Sequence, residues 1–218
     1  MGIRTQHPDA GGRQAASKNA GRLGRRRSQK AERAIVDATL ALLAEGSVSG
    51  LTVEGIAARA GVGKTTIYRR WSSKLPLVVE AIRALPELSV PDTGTLREDL
   101  RQILSALVKI LRTSPLGPVL LHVAAESRSD PELRDAISEH LALRRAPLLE
   151  VTRRALARGE LPAGSDPDTL TELLTGPIVN RLLFATGPVD GRFIDVVIGT
   201  VLEGTALMAR KPPQRRVS

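Results

Sequence analysis

The sequence contains no cysteine, which excludes disulfides and thiolate metal sites and fits a reducing cytosol. Aromatic residues are nearly absent: one Trp, one Tyr and two Phe in 218 residues. An aromatic cage for a flat cationic ligand is therefore not expected. No apolar run approaches the roughly 20 residues of a membrane span. The charged N-terminus is not followed by the apolar stretch of a signal peptide. The most local absence is of negative charge: from Gly55 to Val79 there is no acidic residue. That window holds Arg59, Lys64, Arg69, Arg70 and Lys74, together with Tyr68 and Trp71, the chain's only Tyr and Trp.

What is present is distributed unevenly. The formal net charge is +9, yet residues 85–209 carry 13 basic and 17 acidic groups. Residues 1–30 carry eight basic groups and one acid, and residues 210–218 four basic groups and no acid. A basic front on a mildly acidic bulk points to a polyanion partner at the N-terminal end. Residues 1–27, rich in Gly, Ala, Arg and Gln, offer little to bury and are expected to be a disordered basic arm. Arg25, Arg26 and Arg27 would lie along a DNA backbone or minor groove.

The apolar spacing predicts an all-α chain of about nine helices. Ser28 is the expected cap of a first helix over 29–45, ended by Gly46. Thr52 caps a short second helix, whose Val53, Ile56, Ala57 and Ala60 share one face. Gly61-Val62-Gly63 is a tight turn, and Lys64–Trp71 a third helix with Ile67 and Trp71 inward. Two short helices around a Gly-containing three-residue turn form a helix-turn-helix signature. Ser72-Ser73 caps a fourth helix from Lys74 to Leu85, stopped by Pro86. The prolines and glycine of 86–94 mark a boundary. Helices follow over 95–112, 116–128, 131–158, 167–186 and 190–207, with bends expected at Pro147 and Gly176-Pro177. The organisation is thus arm 1–27, DNA-binding unit 28–85, helical unit 86–209 and basic tail 210–218.

Gly61 to Thr66 reads GVGKTT, and two chemistries compete for it. Gly63-Lys64-Thr65 matches the second half of a nucleotide-binding P-loop, the alternative function for this chain. The first glycine of that pattern would fall at residue 58, which is Ala58. A P-loop also follows a strand, and the segment before this one has a helical face. Read as DNA recognition, the same stretch accounts for more residues. Lys64 could bond guanine O6 and N7, and Thr65 a thymine methyl or base edge. Thr66, Tyr68 and Arg70 would reach phosphates and set register. Thr52 and Lys74 sit where helix N-termini favour a phosphate.

The run Leu51-Thr52-Val53, Ile56-Ala57, Ala60-Gly61-Val62-Gly63-Lys64, Thr66-Ile67-Tyr68, Trp71 and Ser73-Lys74 resembles the DNA-binding domain of the TetR family of bacterial transcriptional regulators. The resemblance covers about 29–85. It implies an all-α homodimer that binds DNA through its first four helices, with a divergent C-terminal part that dimerises and binds a small-molecule effector. By position, Lys64, Thr65 and Thr66 match the base-proximal start of the recognition helix. Tyr68, Arg69, Arg70 and Lys74 match groove or backbone contacts. Gly63 departs from the pattern, which often has Ser there, and loses one hydroxyl.

In the C-terminal half the last two helices are expected to pair with their twins through Leu170, Leu173, Leu174, Ile178, Leu182, Val197, Val201 and Leu202. An effector pocket would lie among the helices of 95–186 and be largely aliphatic. Its candidate polar groups are His122, Glu126, His140, Asn180 and Arg181. His122 and Glu126, four apart, could suit a metal, but an exposed helix face is the expectation. No nucleophile–base constellation stands out. The expectation is a cytoplasmic transcriptional regulator without cofactor, metal or catalysis.

Overall fold

The computed structural model describes the backbone of residues 11–210 and the side chains of residues 28–209. The expected roles of residues 1–10 and 211–218, and of the side chains of Arg25, Arg26 and Arg27, lie outside the described residues. Among those described there are nine helices and no strand: α1 (Gly11–Glu45), α2 (Val53–Ala60), α3 (Lys64–Tyr68), α4 (Lys74–Arg83), α5 (Leu96–Thr113), α6 (Leu116–Ser127), α7 (Pro131–Ala157), α8 (Pro167–Phe184) and α9 (Gly191–Arg210). No single described helix is long and apolar enough to cross a membrane.

Local chemistry sets most of these boundaries. Thr52 accepts a hydrogen bond from the Gly55 N–H at 3.1 Å and starts α2. Gly61 ends it in the left-handed region at φ 65°, where a Cβ would be strained. Asp130 and Asp166 cap α7 and α8, each with proline in the first turn. Both α7 and α8 run on through their internal Pro147 and Pro177. Three expectations are corrected. The first helix starts at Gly11, so Ser28 lies inside it and caps nothing; its hydroxyl accepts from Arg70 Nη2 at 3.0 Å. The third helix stops at Tyr68, and Trp71 follows it, its N–H bonding the Ile67 carbonyl. Ser73 precedes α4 but makes no capping bond with its side chain.

Two apolar clusters form the interior, and they do not divide at Pro86. The first joins Ile35, Leu43, Ile56, Ile67, Trp71 and Leu77 of the DNA-binding segment to Leu116, Val119 and Val123 of α6 and to Leu133 and Ile137 of α7. The second gathers Leu100, Ile103 and Leu104 of α5, Leu148 and Val151 of α7, Leu174 and Ile178 of α8, and Ile198 of α9. Helix α7 therefore serves both: its first half closes one core and its second half the other. Helices α5 and α6 meet at 84°, which lets one chain segment face each cluster.

One buried charge organises the second cluster's edge. Asp99 is fully buried, with Oδ1 accepting from the Thr93 N–H (2.7 Å) and hydroxyl (2.8 Å). Arg154 and Arg158 each approach Oδ2 at 3.4 Å. Burial pushes this carboxyl up, but the Thr93 bonds and the Arg158 and Arg154 guanidiniums outweigh it and hold it below the ordinary aspartate value. A pKa lowered by folding gives stability that is complete above the unfolded value and is lost as pH falls through the folded one. Urea denaturation should therefore show wild type losing stability below about pH 4. Asp99→Asn should lose part of its stability at pH 7 and show a shallower fall in acid. Parallel pH profiles for the two proteins would contradict the assignment.

Candidate nucleic-acid interface

Helix α3 is only five residues long, too short to be stable alone, so its position comes from what it packs against. Ile67 is 1% exposed and Trp71 8%, both in the first cluster. With that side anchored, Lys64, Thr65, Tyr68, Arg69 and Arg70 are exposed, and Tyr68 keeps 53% of its surface in solvent. Thr66 is half-buried beside an open cavity of about 440 Å³ lined by Ser28, Gly61, Gly63 and Arg69. Gly63 precedes α3 in extended conformation without a side-chain cap. Thr52, the cap of α2, is exposed.

The basic residues of this face are mostly engaged by the protein itself. Arg70 pairs with Glu32 of α1, and Arg59 donates twice to Glu45 at 2.7 Å. Both bonds tie the helix-turn-helix to α1. Lys74 donates to the carbonyls of Val48 (3.1 Å) and Ser49 (3.2 Å) and is half-buried. Arg70 and Lys74, expected to contact the DNA backbone, are both bonded within the protein here and hold the scaffold. Lys64 Nζ lies 2.9 Å from Glu54 Oε1, on the surface. Hydrogen bonding to Lys64 draws the Glu54 carboxyl below its usual value, and the same bond raises the Lys64 ammonium. Both therefore stay charged at neutral pH. Arg69 has no ion pair among the described residues. Sequence reasoning named the cations and missed the acids. Glu32, Glu45 and Glu54 lie 38, 14 and 10 residues from their partners, separations with no helical period to betray them.

The nucleotide reading of Gly63-Lys64-Thr65 fails on geometry. The segment before it is helix α2, with no strand from which a phosphate loop could spring, and Lys64 points to Glu54.

The polar groups expected around an effector are placed differently. Glu126 of α6 accepts from the N–H groups of Val48 and Ser49 at 2.5 and 2.7 Å. His122, one turn earlier, bonds the Leu43 carbonyl through Nδ1 at 2.8 Å. Both are therefore committed to the end of α1 and the loop after it. No group of three metal-ligating side chains occurs among the described residues. His140 is buried on α7, with Nε2 accepting from Arg83 of α4 at 3.0 Å. Nearby Arg144 donates to the carbonyls of Ile82, Leu85 and Pro86, closing the end of α4. Arg181 folds back onto the α8–α9 loop: it donates to the Pro188 carbonyl at 2.7 Å and stacks on Phe193 at 3.6 Å. Asn180 is exposed on α8.

Comparison with known proteins agrees with this layout. Residues 35–81 match the family model described as bacterial regulatory proteins, tetR family. Residues 90–201 match the tetracyclin repressor-like C-terminal domain. The chain is 31% identical to the DNA-binding transcriptional repressor TetR of Mycobacteroides abscessus, over 81% of this chain and 94% of that one. It is 30% identical to an HTH-type transcriptional regulator of Mycobacterium tuberculosis, Rv1556, over 78% of this chain and 85% of that one. The crystal structure of the TetR family transcription regulator SCO0332 superposes with a TM-score of 0.60 at 30% identity, covering 80% of this chain and 98% of the other. With the reading helix exposed on a scaffold of α1, α2 and α4, and both family models matched in order along the chain, this protein is a DNA-binding transcriptional regulator of the TetR family.

Proposed function

We propose that the chain represses transcription as a cytoplasmic homodimer that grips a two-fold-symmetric operator and releases it when a small effector binds. The carrying observation is the arrangement of α3: Ile67 and Trp71 buried behind it, Lys64, Thr65, Tyr68 and Arg69 exposed in front. A helix so held can enter the major groove with its first residues at base edges. Thr52, Thr66 and Arg69 flank it as phosphate contacts, and Arg70 and Lys74 hold its angle.

We place the dimer face on a different, overlapping set of residues from the one the leucines suggested. Leu170, Leu174, Ile178 and Val197 belong to the monomer's own core, and Leu182, Val201 and Leu202 pack partly on it. Leu173 remains exposed, with Phe184 on the same helix and Val196 and Leu207 on α9. Each of these pairs is eleven residues apart, three turns along one stripe. Gly176 and Gly204 lie within these stripes, and a Cβ at either would meet nothing within 4 Å. Asn180 sits on the same side of α8. A second copy packed there buries four large apolar side chains and sets two reading helices a fixed distance apart. A cavity of about 550 Å³ lined by Leu170, Leu173, Thr205 and Met208 opens beside this face. The effector is expected to be small and largely aliphatic.

Binding to duplex genomic fragments across a salt series tests the reading. Affinity should fall steeply with salt, and the preferred site should be a palindrome occupied by two chains. Lys64→Ala should weaken operator binding roughly 5- to 150-fold and relax sequence preference at one position per half-site. Lys74→Ala should weaken all sequences alike, because it loosens the scaffold and touches no base edge. Equal, sequence-blind losses for both would remove the base-reading role of Lys64. ATP binding that is lost in Lys64→Ala, without duplex binding by wild type, would overturn the function.

A further inference from the structure

We infer that Glu54 is a specificity-determining residue: with Lys64 it forms a donor–acceptor unit that reads one G·C pair in the major groove of each half-site. This rests on the proposed placement of α3 in that groove.

The ion pairs of this face fall into two kinds. Arg59–Glu45 and Arg70–Glu32 anchor to α1, and their acids lie on the scaffold. Glu54 and Lys64 both project from the helix-turn-helix itself, and their side chains keep 63% and 54% of their surface in solvent. The carboxylate sits 2.9 Å from the amine that leads the reading helix. Glu54 lies in the first turn of α2, two residues past the Gly55-bonded cap Thr52 in a helix closed by Gly61. Its origin is therefore fixed while its tip is accessible.

That spacing has a counterpart in DNA. The major-groove edge of a G·C pair shows guanine O6 and N7 as acceptors and the cytosine N4 amino group as donor. Guanine O6 and cytosine N4 are themselves hydrogen-bonded, so they stand about 2.9 Å apart. An ammonium and a carboxylate at the same separation can lie against them, Lys64 donating to O6 and Glu54 accepting from N4, without the ion pair breaking. At a C·G or A·T pair the order is reversed, so an amino group would face the ammonium and a carbonyl oxygen the carboxylate; a T·A pair keeps the order, and there only guanine N7, replaced by the thymine methyl, lets the ammonium favour G·C. Away from the operator only phosphates are offered. There Glu54 neutralises Lys64 and adds a repelling charge, so it weakens the non-specific complex.

The test is selection of bound duplexes from a randomised pool by wild type, Glu54→Gln, Glu54→Ala and Lys64→Ala, with affinities measured on operator and on non-specific DNA. Glutamine keeps an acceptor oxygen and loses the charge; alanine loses both. Wild type should require G·C at one position per half-site. Its preference for G·C over C·G and A·T should fall about tenfold or more in Glu54→Ala and by an intermediate factor in Glu54→Gln. Non-specific affinity should rise equally in both. Full G·C preference in Glu54→Ala would overturn the inference, as would identical preferences in Glu54→Gln and Glu54→Ala, which would leave only a charge effect. If Lys64→Ala alone changes the selected site, base reading by Lys64 stands and the role of Glu54 falls. Wild type that selects no duplex site overturns both readings together. Far-ultraviolet circular dichroism of each variant verifies that the fold is intact.

Discussion

Ile67→Ala should abolish operator binding although Ile67 touches no DNA. Its side chain is 1% exposed and lies in the cluster shared by α1, α2, α4 and α6. Truncating a buried isoleucine removes its transfer free energy and leaves a cavity, together about 2–5 kcal/mol. The consequence is concentrated because α3 has five residues and no independent stability. Ile67 and the following Trp71 are the buried side chains behind it, so slackness there is passed directly to Lys64 and Thr65. The melting temperature of a chain this size should drop by roughly 2–4 °C per kcal/mol. Operator affinity should fall toward the non-specific level. Retained operator affinity in a variant shown to be destabilised would mean that the reading helix is positioned by contacts other than its buried face.

Glu126→Ala should destabilise the protein by about 1.5–3 kcal/mol and weaken every DNA sequence alike. Its carboxylate accepts two consecutive backbone N–H groups, Val48 and Ser49, across 78 and 77 positions of chain. Val48 is buried, so its N–H would lose its acceptor, whereas Ser49 is exposed and can turn to water. The loop they form is held from the other side by Lys74, whose amine takes the Val48 and Ser49 carbonyls. Thr52, which starts α2, follows four residues after Val48, so the loop sets where the reading unit begins. Glu126→Gln, with one acceptor oxygen left, should fall between. Thermal melts and operator titrations of the two variants, alone and combined with Lys74→Ala, would check this. Strict additivity of the two substitutions would argue that they do not grip one loop.

The front of the chain was readable because its elements are punctuated locally. Thr52, Gly61, Asp130 and Asp166 act within three or four residues of themselves, and Thr52 and Gly61 stand where the sequence put them. Ser28 looked equally good as a cap, but a cap is decided by the backbone before it, and here the helix continues back to Gly11. The cations of the reading face were visible; their pairing was not, since Arg70–Glu32 and Lys64–Glu54 join different helices. His122 and Glu126 showed a helical spacing of four, which reveals a shared face and not what that face meets. The apolar residues named for a dimer divide for a related reason. Along α8 the apolar residues are spread around the helix without a preferred face, so periodicity cannot tell the side that meets its own core from the side left for a partner. Leu173 and Leu174 are adjacent, and only the fold separates them: one is 52% exposed, the other 1%.

The two apolar clusters bear on how the molecule can be cut and recombined. Pro86–Gly94 reads as a natural seam, and a chimera designed from sequence would be spliced there. Such a graft would strip Leu116, Val119, Val123, Leu133 and Ile137 from the reading head and replace them with foreign side chains of unmatched shape. A head meant for transplant must carry α6 and the first half of α7, with an exchange point between Ile137 and Leu148 inside a helix about 40 Å long, and α5, which precedes them, comes along although its Leu100, Ile103 and Leu104 lie in the second cluster. Transplanting operator preference between relatives then means matching α5 to the host's α8 and α9 as well as two halves of one rod.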